Sequence, residues 1–99
     1  MKGRVNKLRV PDEVAELIRN LHPHIKKKIK LSLRQILLDP HSGKELKDDL
    51  QGMRSFRVSG FRIIYRLSKK KQIEIVAVGP RKSIYEETYI LLKRTKKDD

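Results

Sequence analysis

A chain of 99 residues with 37% hydrophobic and 37% charged residues makes one small domain, residues 1–99, with a modest core burying about 60 to 65% of its unfolded surface. Twenty-five Lys and Arg against twelve Asp and Glu give a net charge of +13 and a pI near 10.3, a balance that implies a polyanionic partner. The absence of cysteine excludes disulfides, a thiolate nucleophile and a Cys-based zinc site, and no run approaches the ~20 apolar residues of a membrane span.

In chain order, Lys2, Arg4, Lys7 and Arg9 precede no apolar run, so no signal peptide is expected and a reducing cytoplasm suits the chain. Lys7 to Val10 reads as a short first strand. Pro11, Asp12 and Glu13 then supply the proline and acids favoured at a helix start, followed by Val14, Leu17, Ile18 and Leu21 at helical spacing. Pro23 opens a second helix with its apolar stripe at Ile25, Ile29, Leu33, Ile36 and Leu37, stopped by Asp39 and Pro40. The two form a helical hairpin. Lys26, Lys27, Lys28 and Lys30 on it read as a solvated face. Residues 40 to 52, with Pro40, Ser42, Gly43 and Gly52, read as a loop.

From Phe56 the period becomes two. Phe56 and Val58, then Phe61, Ile63, Tyr65 and Leu67, then Ile73, Ile75 and Ala77 put apolar groups on one face of three strands, which covers the helices. With Ser59 and Gly60 as a two-residue loop, Val58 opposes Phe61, Arg57 opposes Arg62 and Phe56 opposes Ile63. The arginine pair then lies on the other face, and Arg66 extends it. Ser68 to Gln72 is a longer, lysine-rich hairpin loop, and Gly79 and Pro80 stop the strand after Val78. Ile84, Tyr85, Thr88, Tyr89, Leu91 and Leu92 form a short terminal helix, with Lys96 to Asp99 frayed. The fold class expected is α+β: an N-terminal helical hairpin packed on a curved antiparallel sheet of three to four strands, with a short C-terminal helix.

The basic excess is concentrated in this sheet, since residues 53 to 81 hold eight Lys and Arg against one acid, Glu74. Two arginines opposed across a hairpin repel, at a cost of about 0.2 to 1 kcal/mol. A phosphate between them reverses the sign through bidentate, charge-assisted hydrogen bonds. Arg57 and Arg62 are therefore candidate phosphate ligands; the alternative is that they only keep an exposed face solvated. Arg81 follows the stiff Gly79-Pro80 strand exit, and Tyr85 lies one helical turn on. Cations for a pentacoordinate phosphate and a hydroxyl to move a proton are what RNA cleavage through the 2′-hydroxyl needs. The alternatives are that Tyr85 packs in the core and that Arg81 caps a helix or pairs with Glu86 or Glu87. A free phenol at about pKa 10 is a poor base, so a cationic neighbourhood would have to lower it. His22, His24 and His41 fall in a turn and a loop without metal-ligand spacing, His41 being the one that could approach the site, and Glu74 alone supports no carboxylate cage. No metal and no cofactor are expected.

Leu46 to Gly52 followed by Ser55-Phe56-Arg57-Val58-Ser59-Gly60-Phe61-Arg62-Ile63-Ile64-Tyr65-Arg66 resembles the pattern of RelE-type toxins of the RelE/ParE superfamily. Ile75-Val76-Ala77-Val78-Gly79-Pro80-Arg81-Lys82-Ser83-Ile84-Tyr85 is similar to that family's closing strand, arginine and late tyrosine, and the resemblance covers residues 5 to 90. It implies a type II toxin that cleaves translated mRNA in the ribosomal decoding site. Its partners would be the ribosome, mRNA and an acidic, partly disordered antitoxin held in a hetero-oligomer, with no membrane. Arg62 matches the arginine that holds the scissile phosphate, Arg81 the arginine after the last strand, Tyr85 the late tyrosine and Arg57 a basic position of the preceding strand. Lys44, Lys47, Arg54 and Arg66 complete the expected RNA contacts. Ser55 stands where some members carry a further lysine, and Pro80 replaces a frequent histidine; Lys44 or Lys47 could compensate, and the general base is unassigned. Tyr89 to Leu92 are expected in or near the antitoxin groove. A gyrase-poisoning toxin of the ParE branch and a non-catalytic RNA- or antitoxin-binding relic are the rival readings.

Overall fold

The computed structural model describes residues 7–97, with side chains to residue 94. Strand β1 (Lys7–Arg9) leads into helices α1 (Asp12–Arg19) and α2 (Pro23–Leu38); β2 (Lys44–Glu45) and a 3-10 turn (Asp48–Leu50) follow; β3 (Met53–Val58), β4 (Phe61–Leu67) and β5 (Gln72–Pro80) form a meander, and α3 (Arg81–Lys97) closes the chain. The helices start as their sequence dictates. Acids occupy the first turn of α1, and Pro23 stands at the first turn of α2 while the His22 ring accepts the His24 N–H at 3.1 Å. His22 is thus a turn residue, as expected.

The sheet has five strands in the order β1-β5-β4-β3-β2, one more than the upper expectation. It is mixed, because β1 pairs with β5 in parallel. The extra strand, β2, lies inside the stretch read as loop; two exposed residues carry no alternation to betray it. The β3–β4 register matches the expectation, with Val58 opposite Phe61, Arg57 opposite Arg62 and Phe56 opposite Ile63. Ser59 in the connecting turn takes φ 55°, and its hydroxyl accepts from Lys28 of α2 at 3.1 Å.

One face carries the main core, where Ile18, Ile29 and Ile36 of the helical hairpin meet Val58, Ile63, Tyr65, Ile73, Ile75 and Val78. The period of two breaks on β5. Ile64 pairs with Ala77 but Tyr65 pairs with Ile75, so Val76 is an inserted residue and the parity flips. Val78, not the expected Ala77, reaches the helices, and Ala77 turns to the opposite face. There a second cluster of Leu50, Met53, Ile64 and Ile84 forms under α3. Small residues at Ala77 and Gly79 let α3 come close: a Cβ on Gly79 would lie 2.9 Å from the Ile84 Cδ1.

The terminal helix is not short; it runs 17 residues and begins at Arg81, directly after Pro80. Lys96 and Lys97 lie within it, while Asp98 and Asp99 of the expected frayed end, like Lys2 and Arg4, lie outside the described residues. No helix among those described is long and apolar enough to cross a membrane.

Tyr65 is fully buried, donates its hydroxyl to the Pro40 carbonyl at 2.7 Å and accepts from the Gly43 N–H at 2.9 Å. Burial pushes its phenol above the ordinary value despite the Gly43 hydrogen bond. A Cβ on Gly43 would sit 2.6 Å from that hydroxyl and 2.8 Å from the ring. Because the phenol is pinned at both bonds, Gly43→Ala should cost about 1 to 3 kcal/mol. That is a drop of roughly 4–8 °C in Tm per kcal/mol, checked by calorimetry.

Candidate functional site

The face of the sheet opposite the helical hairpin collects the chemistry at one end. Parity places Ser55 and Arg57 of β3 there, with Arg62 of β4 opposite Arg57 and beside Gly79 of β5. The first turn of α3 closes the corner, because the Arg81 N–H donates to the Gly60 carbonyl at 2.9 Å. That bond ties the helix start to the hairpin tip, and Tyr85, one turn on, reaches back over the sheet.

The Tyr85 hydroxyl is the hub. Arg62 Nε donates to it at 3.1 Å, and the Ser55 hydroxyl lies 2.9 Å from it. Burial raises the Tyr85 phenol, but the hydrogen bonds with Ser55 and Arg62 and the charges of Arg62 and Arg81 outweigh burial and hold it below the ordinary value of 10.0. Tyr85 also packs its ring against the second core cluster, so the core and chemical readings are both met by one residue. Arg62 gives one further N–H to the Phe61 carbonyl at 3.4 Å, leaving three of the five N–H groups of a guanidinium without a protein acceptor among the described residues. Arg57 and Arg81 are exposed. Neither Glu86 nor Glu87 forms an ion pair with Arg81 among the described residues.

The structure therefore brings together Arg57, Arg62, Arg81 and Tyr85. Lys44 joins them by register: it is paired with Ser55 across β2 and β3, which puts the two side chains on one face with Cβ atoms about 5 Å apart. Lys47 is exposed just before the 3-10 turn. Arg54 is not brought to the site. It shares the parity of Phe56 and Val58 on the other face, and its guanidinium donates to the carbonyls of Gly43 at 2.7 Å and His41 at 3.3 Å. His41 is held in that loop. Arg66 lies on the site face but about 13 Å along the strand from Arg62, bonded to Glu74 at 2.8 Å. Ser55, noted in the sequence only as the loss of a lysine, is a member of the site; its parity with Arg57 is the signal that could have found it. No group of three or more His, Asp or Glu among the described residues is placed to hold a metal ion.

The solved structures it resembles share the fold. The toxin–antitoxin complex RelBE2 from Mycobacterium tuberculosis superposes with a TM-score of 0.70 at 22% identity, covering 79% of this chain and 100% of that one. A free, double arginine-to-alanine mutant of the toxin RelE from E. coli gives 0.70 at 21% identity, covering 92% and 98%. The YoeB-YefM complex from Staphylococcus aureus gives 0.57 at 22%, covering 77% and 95%. These define the class, a small RelE-like α+β toxin fold. Residues 8–85 match the family model described as ParE toxin of type II toxin-antitoxin system, parDE. The chain belongs to that family of toxins, within the RelE/ParE superfamily. A comparison with curated sequences gave no match.

Proposed function

We propose that this toxin is an endoribonuclease that cuts mRNA on the translating ribosome by the 2′-hydroxyl route. The observation that carries the reading is the Tyr85 hydroxyl held at 3.1 Å from Arg62 Nε, with its pKa lowered, beside a guanidinium that keeps donors to spare. Arg57 and Arg62 bind the non-bridging oxygens of the scissile phosphate. Tyr85, as its phenolate, takes the proton of the 2′-hydroxyl as the O2′–P bond forms. Arg81, at the positive end of α3, stabilises the added charge of the pentacoordinate phosphate. The P–O5′ bond breaks, the leaving oxygen takes a proton from water, and the products carry a 2′,3′-cyclic phosphate and a 5′-hydroxyl. Lys44 and Lys47 extend the cationic surface along the RNA.

An antitoxin partner suits the groove of about 720 Å³ at the other end of the same face, lined by Met53, Val76, Tyr89 and Leu92 with Arg9, Arg66 and Lys93 against Asp49 and Glu74 among its charged residues. Apolar walls with a mixed but net basic set of charges accept an amphipathic segment that carries acidic side chains in a cytoplasmic toxin–antitoxin hetero-oligomer. The solved relatives that are complexes with antitoxins support this partner.

Purified toxin should cleave a reporter mRNA on programmed ribosomes and leave cyclic-phosphate ends; intact mRNA under those conditions rejects the reading. The family model's ParE description favours a second reading, inhibition of DNA gyrase. Relaxed plasmid and broken DNA in a supercoiling assay, with mRNA uncut, would be its signature.

A further inference from the structure

We propose that Ser55 is the positioning residue of this site: from the floor of the sheet it fixes the Tyr85 hydroxyl in line with Arg62, which makes Tyr85 the proton acceptor for the 2′-hydroxyl. The inference deepens the nuclease reading and rests on it for the chemical step.

Ser55 is only 7% exposed. On a sheet face between Met53 and Arg57, a buried hydroxyl is costly unless it is bonded. Its partner among the described residues is the Tyr85 hydroxyl at 2.9 Å. A serine hydroxyl is far too weak an acid or base to act alone near neutral pH, so its influence runs through the phenol. As a rotor it serves both states of Tyr85. It accepts from the neutral phenol, and it turns to donate once the phenol has lost its proton. The phenolate then has two donors, Ser55 Oγ and Arg62 Nε, aimed at one oxygen, leaving a lone pair toward the sheet surface where Arg57 and Arg62 would hold the phosphate. In the step itself the 2′-hydroxyl proton passes to Tyr85 Oη as O2′ bonds to phosphorus, and P–O5′ breaks with water protonating the leaving oxygen.

The groups facing Tyr85 are consistent with this. Ser55 comes from β3, Arg62 from β4 and Arg81 from its own helix, with Arg57 of β3 paired opposite Arg62 and Lys44 of β2 opposite Ser55. β5 contributes the uncharged Ala77 and Gly79 there. Of the acids, Glu86 and Glu87 follow Tyr85 on α3 and are exposed, while Glu74 is bonded to Arg66 and Asp49 lines the groove at the other end of the face.

The test is an ultraviolet difference titration of tyrosinate on the full chain, run beside the pH profile of single-turnover cleavage, for wild type, Ser55→Ala, Ser55→Thr and, to assign the signal, Tyr85→Phe. Wild type should show one tyrosine titrating below 10.0. Ser55→Ala should move that tyrosine and the cleavage midpoint upward together, the rate at neutral pH falling about tenfold for every pH unit that the midpoint rises. Ser55→Thr should restore both. Cleavage with an unmoved titration and an unmoved midpoint in folded Ser55→Ala overturns the role of Ser55 and leaves the nuclease reading standing. A shifted titration without cleavage by any of the proteins overturns the nuclease reading and, with it, the catalytic role.

Discussion

Arg62→Ala is expected to slow mRNA cleavage about 100- to 1,000-fold, the loss typical of one oriented donor at a developing anion, while leaving the fold intact. The side chain does two things at once. Three of its N–H groups have no protein acceptor among the described residues and can serve the phosphate, and its Nε holds the Tyr85 hydroxyl at 3.1 Å. Stability should hardly suffer, since the substitution also removes the repulsion across the Arg57–Arg62 pair, worth about 0.2 to 1 kcal/mol. Arg62→Lys should rescue little, because an ammonium keeps the charge but loses the planar fork. Single-turnover rates beside thermal melts check both halves. A slow variant that is also unfolded would mean that Arg62 works through the fold.

The second large effect belongs to Tyr85. Wild-type cleavage should climb with pH and level off below 10.0, because Arg62, Arg81 and Ser55 together hold the phenol down against its burial. Tyr85→Phe should abolish that limb and lower the rate about 100- to 10,000-fold, the range for a positioned proton acceptor. The linkage has a definite sign. A phenol whose folded pKa is depressed adds stability that is fully present above its unfolded value near 10.0, and that stability is lost as the pH falls through the folded value. At neutral pH Tyr85→Phe should therefore cost only the hydrogen bonds. Rate–pH profiles of the two proteins decide it; a limb that survives in Tyr85→Phe assigns the base elsewhere, with Lys44, across from Ser55, the first to examine.

The hairpin that carries the arginines was legible because two constraints agree. A two-residue loop sets the register, and only that register puts every apolar pair on one face. The inserted residue on β5 was not legible, since Ile75, Val76, Ala77 and Val78 are all apolar and an unbroken apolar run has no parity to read. That insertion swaps Ala77 for Val78 in the main core and places small residues beneath α3. The same alternation could have placed Arg54, one residue from Ser55, on the opposite face, where it braces the loop at Gly43. Ser55 shared the parity of Arg57, but its bond to Tyr85 depends on how α3 docks, a contact 30 residues apart in sequence. Lys44 came to the site through a two-residue strand that has no sequence signature.

The most direct measurement is to induce the wild-type chain and an Arg62→Ala, Arg81→Ala double variant in cells and map mRNA 5′ ends alongside growth. New ends inside translated frames with growth arrest, both abolished in the double variant, are the expected result. Growth arrest with mRNA uncut, and above all with broken chromosomal DNA, would contradict it.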